Sequence, residues 1–205
     1  TMADGVERLK ASIQSELGLA LDDYRKAQDV DEAFGLLRSS AEDAGVFVLL
    51  LGNLGSHHTN IDLDTFRGFA LADDVAPFLV INDQDHHGAW SFTLLHELTH
   101  LWLGQTGVSG GRPEKAVERF CNDVASEFLL PSAELEELKG LGTLSVDQAA
   151  EQIGDFARAR HISHSMVAYK LFSRELIDRA RWTALGSFFR ERWLAERERS
   201  RVRAR

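Results

Sequence analysis

The stretch from Phe92 to Leu103 leaves this chain few ways to fold. Phe92, Leu94, Leu95, Leu98, Leu101, Trp102 and Leu103 make it apolar almost all round a helix, and a helix of that kind belongs in an interior. The same stretch carries His96, Glu97 and His100. Burying two imidazoles and a carboxylate is costly unless something satisfies them. A metal ion does so. His96 and His100 are four positions apart and project from one helical face, where both can ligate one zinc ion. Glu97 is rotated about 100° from His96. It can reach a water held by the metal without binding the metal, and so act as general base in peptide hydrolysis. A chance match to this short pattern belongs on exposed, charged helices, and these surroundings are apolar. The motif points to a zinc-dependent endopeptidase.

A catalytic zinc site takes three protein ligands and leaves its fourth position to water. Glu118, Asp123 and Glu127, on a helix expected after Pro113, are the candidates for the third. On a helical wheel Val117, Phe120, Cys121, Val124 and Phe128 form the apolar arc. Glu118 and Asn122 fall on one edge of it, Glu127 borders the opposite edge, and Asp123 points further out. A carboxylate beside apolar neighbours wants a cation, which favours Glu118 over the rival reading of a solvated helix charge. Asn122, one turn on, is placed to hydrogen-bond the outer nitrogen of a ligand histidine. Cys121, in mid-arc, reads as core.

Around this motif the pattern predicts an α+β fold. Helices are expected from about Val6 to Gln28 and from Asp31 to Ala44, with Gly45 as the stop. Val46–Leu51 reads as a buried strand, and Phe66–Leu71 and Phe78–Ile81 as a hairpin. Gly52–Asp64 and the glycine-rich stretch from Gly104 to Arg112 read as loops. The helix after Pro113 ends at Pro131. Ser132 then caps a short helix, and Ser145 to Gln148 form a capping box. Trp182, Leu185, Phe189 and Trp193 share one face of a last helix. The expected organisation is N-terminal helices over residues 1–45, a metallopeptidase core over 46–131, and a helical C-terminal subdomain over 132–205. A small β-sheet packs on the zinc helix.

The 205 residues are 44% hydrophobic and 27% charged, the profile of a globular protein. A formal net charge of −9 argues against non-specific nucleic-acid binding by the whole chain. The single cysteine, Cys121, excludes a disulfide framework and suits a reducing cytoplasm. No N-terminal basic stretch precedes an apolar run, so no signal peptide is expected, and no apolar segment is long enough to span a membrane.

Together the segments Phe66-Arg67-Gly68-Phe69-Ala70-Leu71, Ala76-Pro77-Phe78-Leu79-Val80-Ile81-Asn82, Phe92 to His100, Glu118 to Asn122, and Glu127-Phe128-Leu129-Leu130-Pro131 resemble the ImmA/IrrE family of bacterial metallo-endopeptidases. The resemblance runs from about Phe66 to Pro131 and more weakly to Leu171. It implies that His96, His100 and Glu118 ligate zinc, that Glu97 is the catalytic base, and that the site layout is gluzincin-like. It further implies cleavage of a helix-turn-helix repressor of the XRE type, which relieves transcriptional repression, as in stress responses. The family pattern has Gly before the second histidine, where this chain has Thr99. Too few residues precede the peptidase region for a helix-turn-helix domain, so a stand-alone protease or a fragment of a longer protein is expected.

Two rival functions compete with this reading. A non-catalytic module that only holds a repressor or toxin has no need of Glu97. A DNA-binding regulator would use Ile153 to Leu171, which has helix-turn-helix spacing and carries Arg158, Arg160 and Lys170. In a chain of net charge −9 this segment reads more simply as a structural helix pair. The pairs His57-His58 and His86-His87 read as surface loop residues, with His87 near enough to the motif helix for a substrate contact. His87, His161, His164 and Tyr169 are all able to donate to an oxyanion.

Overall fold

The computed structural model describes residues 2–53, 60–63, 65–105, 107–108 and 115–203. His57, His58 and most of the segment from Thr106 to Pro113 lie outside the described residues. The chain divides at Pro131/Ser132 into two compact units, residues 1–131 and 132–205.

The first unit opens with a 3₁₀ turn, Met2–Asp4, followed by α1 (Val6–Leu17), α2 (Leu21–Arg25) and α3 (Val30–Asp43). The single long N-terminal helix expected from the sequence is instead two helices. Gly18, at φ 59°, takes the left-handed conformation and caps α1, and the hydrophobic spacing restarts beyond it. Asp29 starts α3 by accepting from the backbone N–H groups of Asp31 and Glu32. Strands β1 (Phe47–Leu50), β2 (Gly68–Leu71) and β3 (Phe78–Ile81), helix α4 (His87–Trp102), the short strand β4 (Gly107–Val108) and α5 (Lys115–Leu129) complete the unit. Strand β4 falls within the stretch read as a loop. A two-residue strand offers no periodicity by which to find it.

The sheet order is β1-β3-β2-β4. β2 and β3 form the expected antiparallel pair, β1 lies parallel to β3, and β4 lies antiparallel to β2. Residues Val48, Gly68, Ala70, Leu79 and Ile81 are buried on the face toward the helices, where α4 packs on β2 and β3, and α3 packs on β1. The other face is uncovered in part. Phe47, Phe78 and Leu71 are in register across it, and Phe47 is 59% and Leu49 49% exposed. The expectation of a buried strand at Val46–Leu51 holds for Val46 and Val48 and fails for Phe47, Leu49 and Leu51, which are exposed. A continuous apolar run does not reveal that its strand lies at a sheet edge with one face bare. The outer edge of β1 is partly closed, because the Arg38 guanidinium donates to the Val48 carbonyl at 2.9 Å.

α5 packs on both α4 and α1. Arg25 ties α2 to the end of α5 by donating to the Leu129 carbonyl at 2.6 Å. The buried amide of Asn82 donates to the carbonyls of Ile61 and Phe66 and so fixes the chain that leads into β2.

The second unit holds 3₁₀ segments Ser132–Leu138 and Leu141–Thr143, then α6 (Val146–Arg158), α7 (His164–Ser173) and α8 (Arg179–Arg203). Ser145 and Gln148 form the capping box of α6, and the Ser163 hydroxyl accepts from the Met166 N–H at the start of α7. Ile153, Ala157, Val167, Leu171 and Leu185 are buried in its core. Mostly helical with one small sheet, the protein is α+β. Among the described residues no helix is long and apolar enough to cross a membrane.

Candidate metal centre

Helix α4 is buried along most of its length, from Thr93 through His100 without interruption. Its amphipathic partner α5 lays Val117, Cys121, Val124 and Phe128 into the same core. Where the two helices meet, His96 Nε2 lies 3.3 Å from Glu118 Oε2, and His100 Nε2 lies 3.1 Å from Glu118 Oε1. The two Nε2 atoms are 3.2 Å apart. One donor atom from each of His96, His100 and Glu118 lies within 4.8 Å of the others, and among the described residues these three form the only such group.

The outer nitrogen of His96, Nδ1, is 2.9 Å from Asn122 Oδ1. An amide oxygen can only accept, so Nδ1 donates in this contact, and Nε2 is the nitrogen turned toward Glu118. Cys121 is fully buried, and burial pushes its thiol pKa up. Burial lowers the pKa of His100, but contacts with Cys121 and Glu118 and the nearby charge of Glu97 outweigh it and hold His100 above its ordinary value. Hydrogen bonds from His100 and His96 hold Glu118 well below the usual carboxylate range. Two imidazole nitrogens and a carboxylate, convergent and largely buried, suit a borderline cation that takes N and O ligands.

Glu97 is fully buried, and its carboxylate lies against the backbone of β2 at Gly68. Thr99 is buried too, and its hydroxyl donates to the Leu95 carbonyl at 2.7 Å. The side chain that replaces glycine before His100 is thus accommodated by back-bonding along the helix. Asp123 is half-buried and Glu127 buried, and neither is in the donor group. His87 is not in it either: its Nδ1 is 2.5 Å from Asp31 Oδ1, and its ring stacks on Trp90. His86 caps α4 by accepting from the Gly88 N–H.

The contact between Gly68 and Glu97 escaped the sequence reading. The signal was present in the alternation of Gly68 and Ala70, the two smallest side chains at every second position of β2. Its meaning depends on which helix covers that face.

A family model described as IrrE N-terminal-like domain, Peptidase_M78, matches residues 41–172, more than half of the chain. Comparison with curated proteins gives no match.

Proposed function

The chain belongs to the Peptidase_M78 family of metallopeptidases, and from that we propose that it is a zinc-dependent endopeptidase of the cytoplasm that cleaves a helix-turn-helix repressor of the XRE type and so relieves transcriptional repression. The observation that carries the reading is the convergence of His96, His100 and Glu118 on one point, with the buried Glu97 next to His96 in the chain and its charge felt at His100.

In this reading His96, His100 and Glu118 hold the zinc. When bound, zinc supplies a Lewis acid that polarises the scissile carbonyl and makes water a nucleophile near neutral pH. Glu97 accepts the proton of the attacking water and returns it to the leaving amine. Asn122 keeps His96 in the tautomer that offers Nε2 as a ligand. The interior around α4 excludes bulk water, which strengthens each of these electrostatic contacts.

An extended peptide can be held by adding to a sheet edge. Of the two edge strands, β1 has the Val48 carbonyl engaged by Arg38. β4 pairs with β2, the strand that touches Glu97. We assign the substrate to the β4 side. An intact helix cannot lie as such a strand, so the cut falls in a segment of the repressor able to become extended.

Direct DNA binding through α6 and α7 has little support. Arg160 is engaged by Glu134 and Glu137, and Arg158 by Asp155. The test of the proposal is incubation of the purified protein with casein and with helix-turn-helix proteins of the XRE type from the same genome, each with and without a chelator. Cleavage of the repressor alone, abolished by the chelator and restored by zinc, is the expected result. Rapid chelator-sensitive degradation of casein with the repressor left intact refutes the narrow specificity, and absence of any cleavage refutes the enzyme.

A further inference from the structure

Strand β2 meets α4 at a glycine. A Cβ at Gly68 would lie 2.8 Å from Glu97 Oε1, 3.0 Å from Glu97 Cγ and 2.7 Å from Thr93 Cγ2. Ordinary carbon contacts stand at about 3.5–4.0 Å, so no side chain fits without displacing a neighbour. Backbone conformation is not the reason for the glycine, because Gly68 has no positive φ. The reason is room.

Thr93 and Glu97 are one turn apart on α4 and form a single ridge, both buried. Their freedom differs. Thr93 is β-branched and stiff in a helix, whereas Glu97 reaches its carboxylate through three rotatable bonds. β2 has little room to retreat, since it is hydrogen-bonded on both sides, to β3 and to β4. Ala70, the next residue on this face, is also minimal and 1% exposed. The strand therefore presents bare backbone to the helix, and a methyl added there would press on both Thr93 and Glu97, of which the glutamate side chain is the freer to swing away.

We propose that Gly68 is a positioning residue for Glu97: the backbone of β2 is the wall on which the Glu97 side chain rests, and it fixes where the carboxylate stands relative to His96 and His100. This deepens the peptidase reading and rests on Glu97 being its general base. Misplacing a catalytic group by about 1 Å can cost on the order of 100-fold in rate.

The experiment compares Gly68→Ala with the wild type in metal content, in crystal structure and in steady-state cleavage of the repressor. The three atoms nearest a Cβ at Gly68 belong to Thr93 and Glu97 and not to a ligand, so zinc content and affinity are expected to stay at wild-type levels. The Glu97 carboxylate is displaced by about 1 Å, and kcat falls by roughly 10- to 100-fold with KM nearly unchanged. In a Glu97→Gln background the same substitution adds no further loss, because the group it displaces no longer acts. An unmoved carboxylate, or wild-type kcat in folded, zinc-loaded Gly68→Ala, overturns the proposal. Where the single variant does not fold, Thr93→Ala removes the other atom in the way. Gly68→Ala/Thr93→Ala, measured against Thr93→Ala alone, then decides the question by the same two readouts. Failure of the peptidase reading is a different result: the wild type shows no chelator-sensitive cleavage, and the carboxylate position in the variant crystal still decides whether Gly68 holds it.

Discussion

Helices α4 and α5 in the first unit and helices α6 and α7 in the second both bring charged side chains together, and they dispose of them in opposite ways. On α4 and α5 the polar groups point inward and toward each other. His96, Glu97 and His100 are buried, and Glu118 closes on both imidazoles. At the end of α6 and in the turn after it, two arginines are paired with carboxylates of their own unit. Arg158 pairs with Asp155, while Arg160 reaches Glu134 and Glu137 at 2.7 Å each and lies over the Phe156 ring. The first arrangement aims one ligand atom from each of three residues at a shared point; the second engages its arginines with carboxylates that compete with any phosphate backbone. Both segments carry a functional pattern in the sequence, and what separates them is the company each side chain keeps.

The sharpest way to break this comparison is to remove a member of the convergent set. Glu118→Ala is expected to abolish tight, stoichiometric zinc binding, and Glu127→Ala to leave it intact. Metal analysis of both proteins checks this, and the reverse pattern would transfer the ligand role to Glu127. Next in size is Glu97→Gln. It should keep zinc and fold but lose about 10²- to 10⁴-fold in cleavage rate, since an amide cannot accept the water's proton. Wild-type turnover in that variant would remove the general base. Asn122→Ala should weaken zinc affinity by roughly 10- to 100-fold, read by competition with a chelator of known affinity.

The pH dependence of metal uptake sharpens the same contrast. In the metal-free protein His100 is held above, and Glu118 below, its ordinary value. His100 thus keeps a proton through the neutral range, and zinc must displace it, so affinity should rise with pH by up to about tenfold per unit. The metal-free fold follows the opposite rule at high pH. Stability from His100 is present below the ordinary histidine pKa and is lost as pH rises through the raised one. Stability from Glu118 is present above the ordinary glutamate pKa and is lost as pH falls through the lowered one. A zinc affinity that does not change with pH would show that His100 carries no such proton. The smallest effect belongs to the second unit. Arg160→Ala should lower the melting temperature by only about 2–4 °C and leave zinc content and cleavage untouched. Salt-dependent retardation of duplex DNA by the wild type, lost in Arg160→Ala, would reverse the comparison.

How legible each part was follows from how local its causes are. The buried helix α4, the capping box of α6 and the β2–β3 pair depend on residues close in sequence, and the pattern displays them. Glu118 and Asn122 could be singled out because a helical wheel reports which edge of α5 borders the core. The exposure of Phe47 and Leu49 depends on what covers a sheet face, which no strand encodes in itself. The split at Gly18 lay within reach, since a glycine there ends one amphipathic period and the next begins out of phase. The packing of Gly68 on Glu97 joins a strand to a helix through the register of β2 on β3, information spread over three elements.

The placement of the donors on α4 and α5 has a consequence for the lifetime of the fold. An ion held by both helices is a removable cross-link, and whatever free energy it gains in binding is also free energy of keeping that helix pair closed. At a free concentration 100 times its dissociation constant this amounts to about 2.7 kcal/mol. If that ion is the zinc proposed above, a cell short of it would hold a chain that is less active and also quicker to open at α4 and α5 and to reach proteases. The supply of the ion would then govern how many copies persist as well as how many are active.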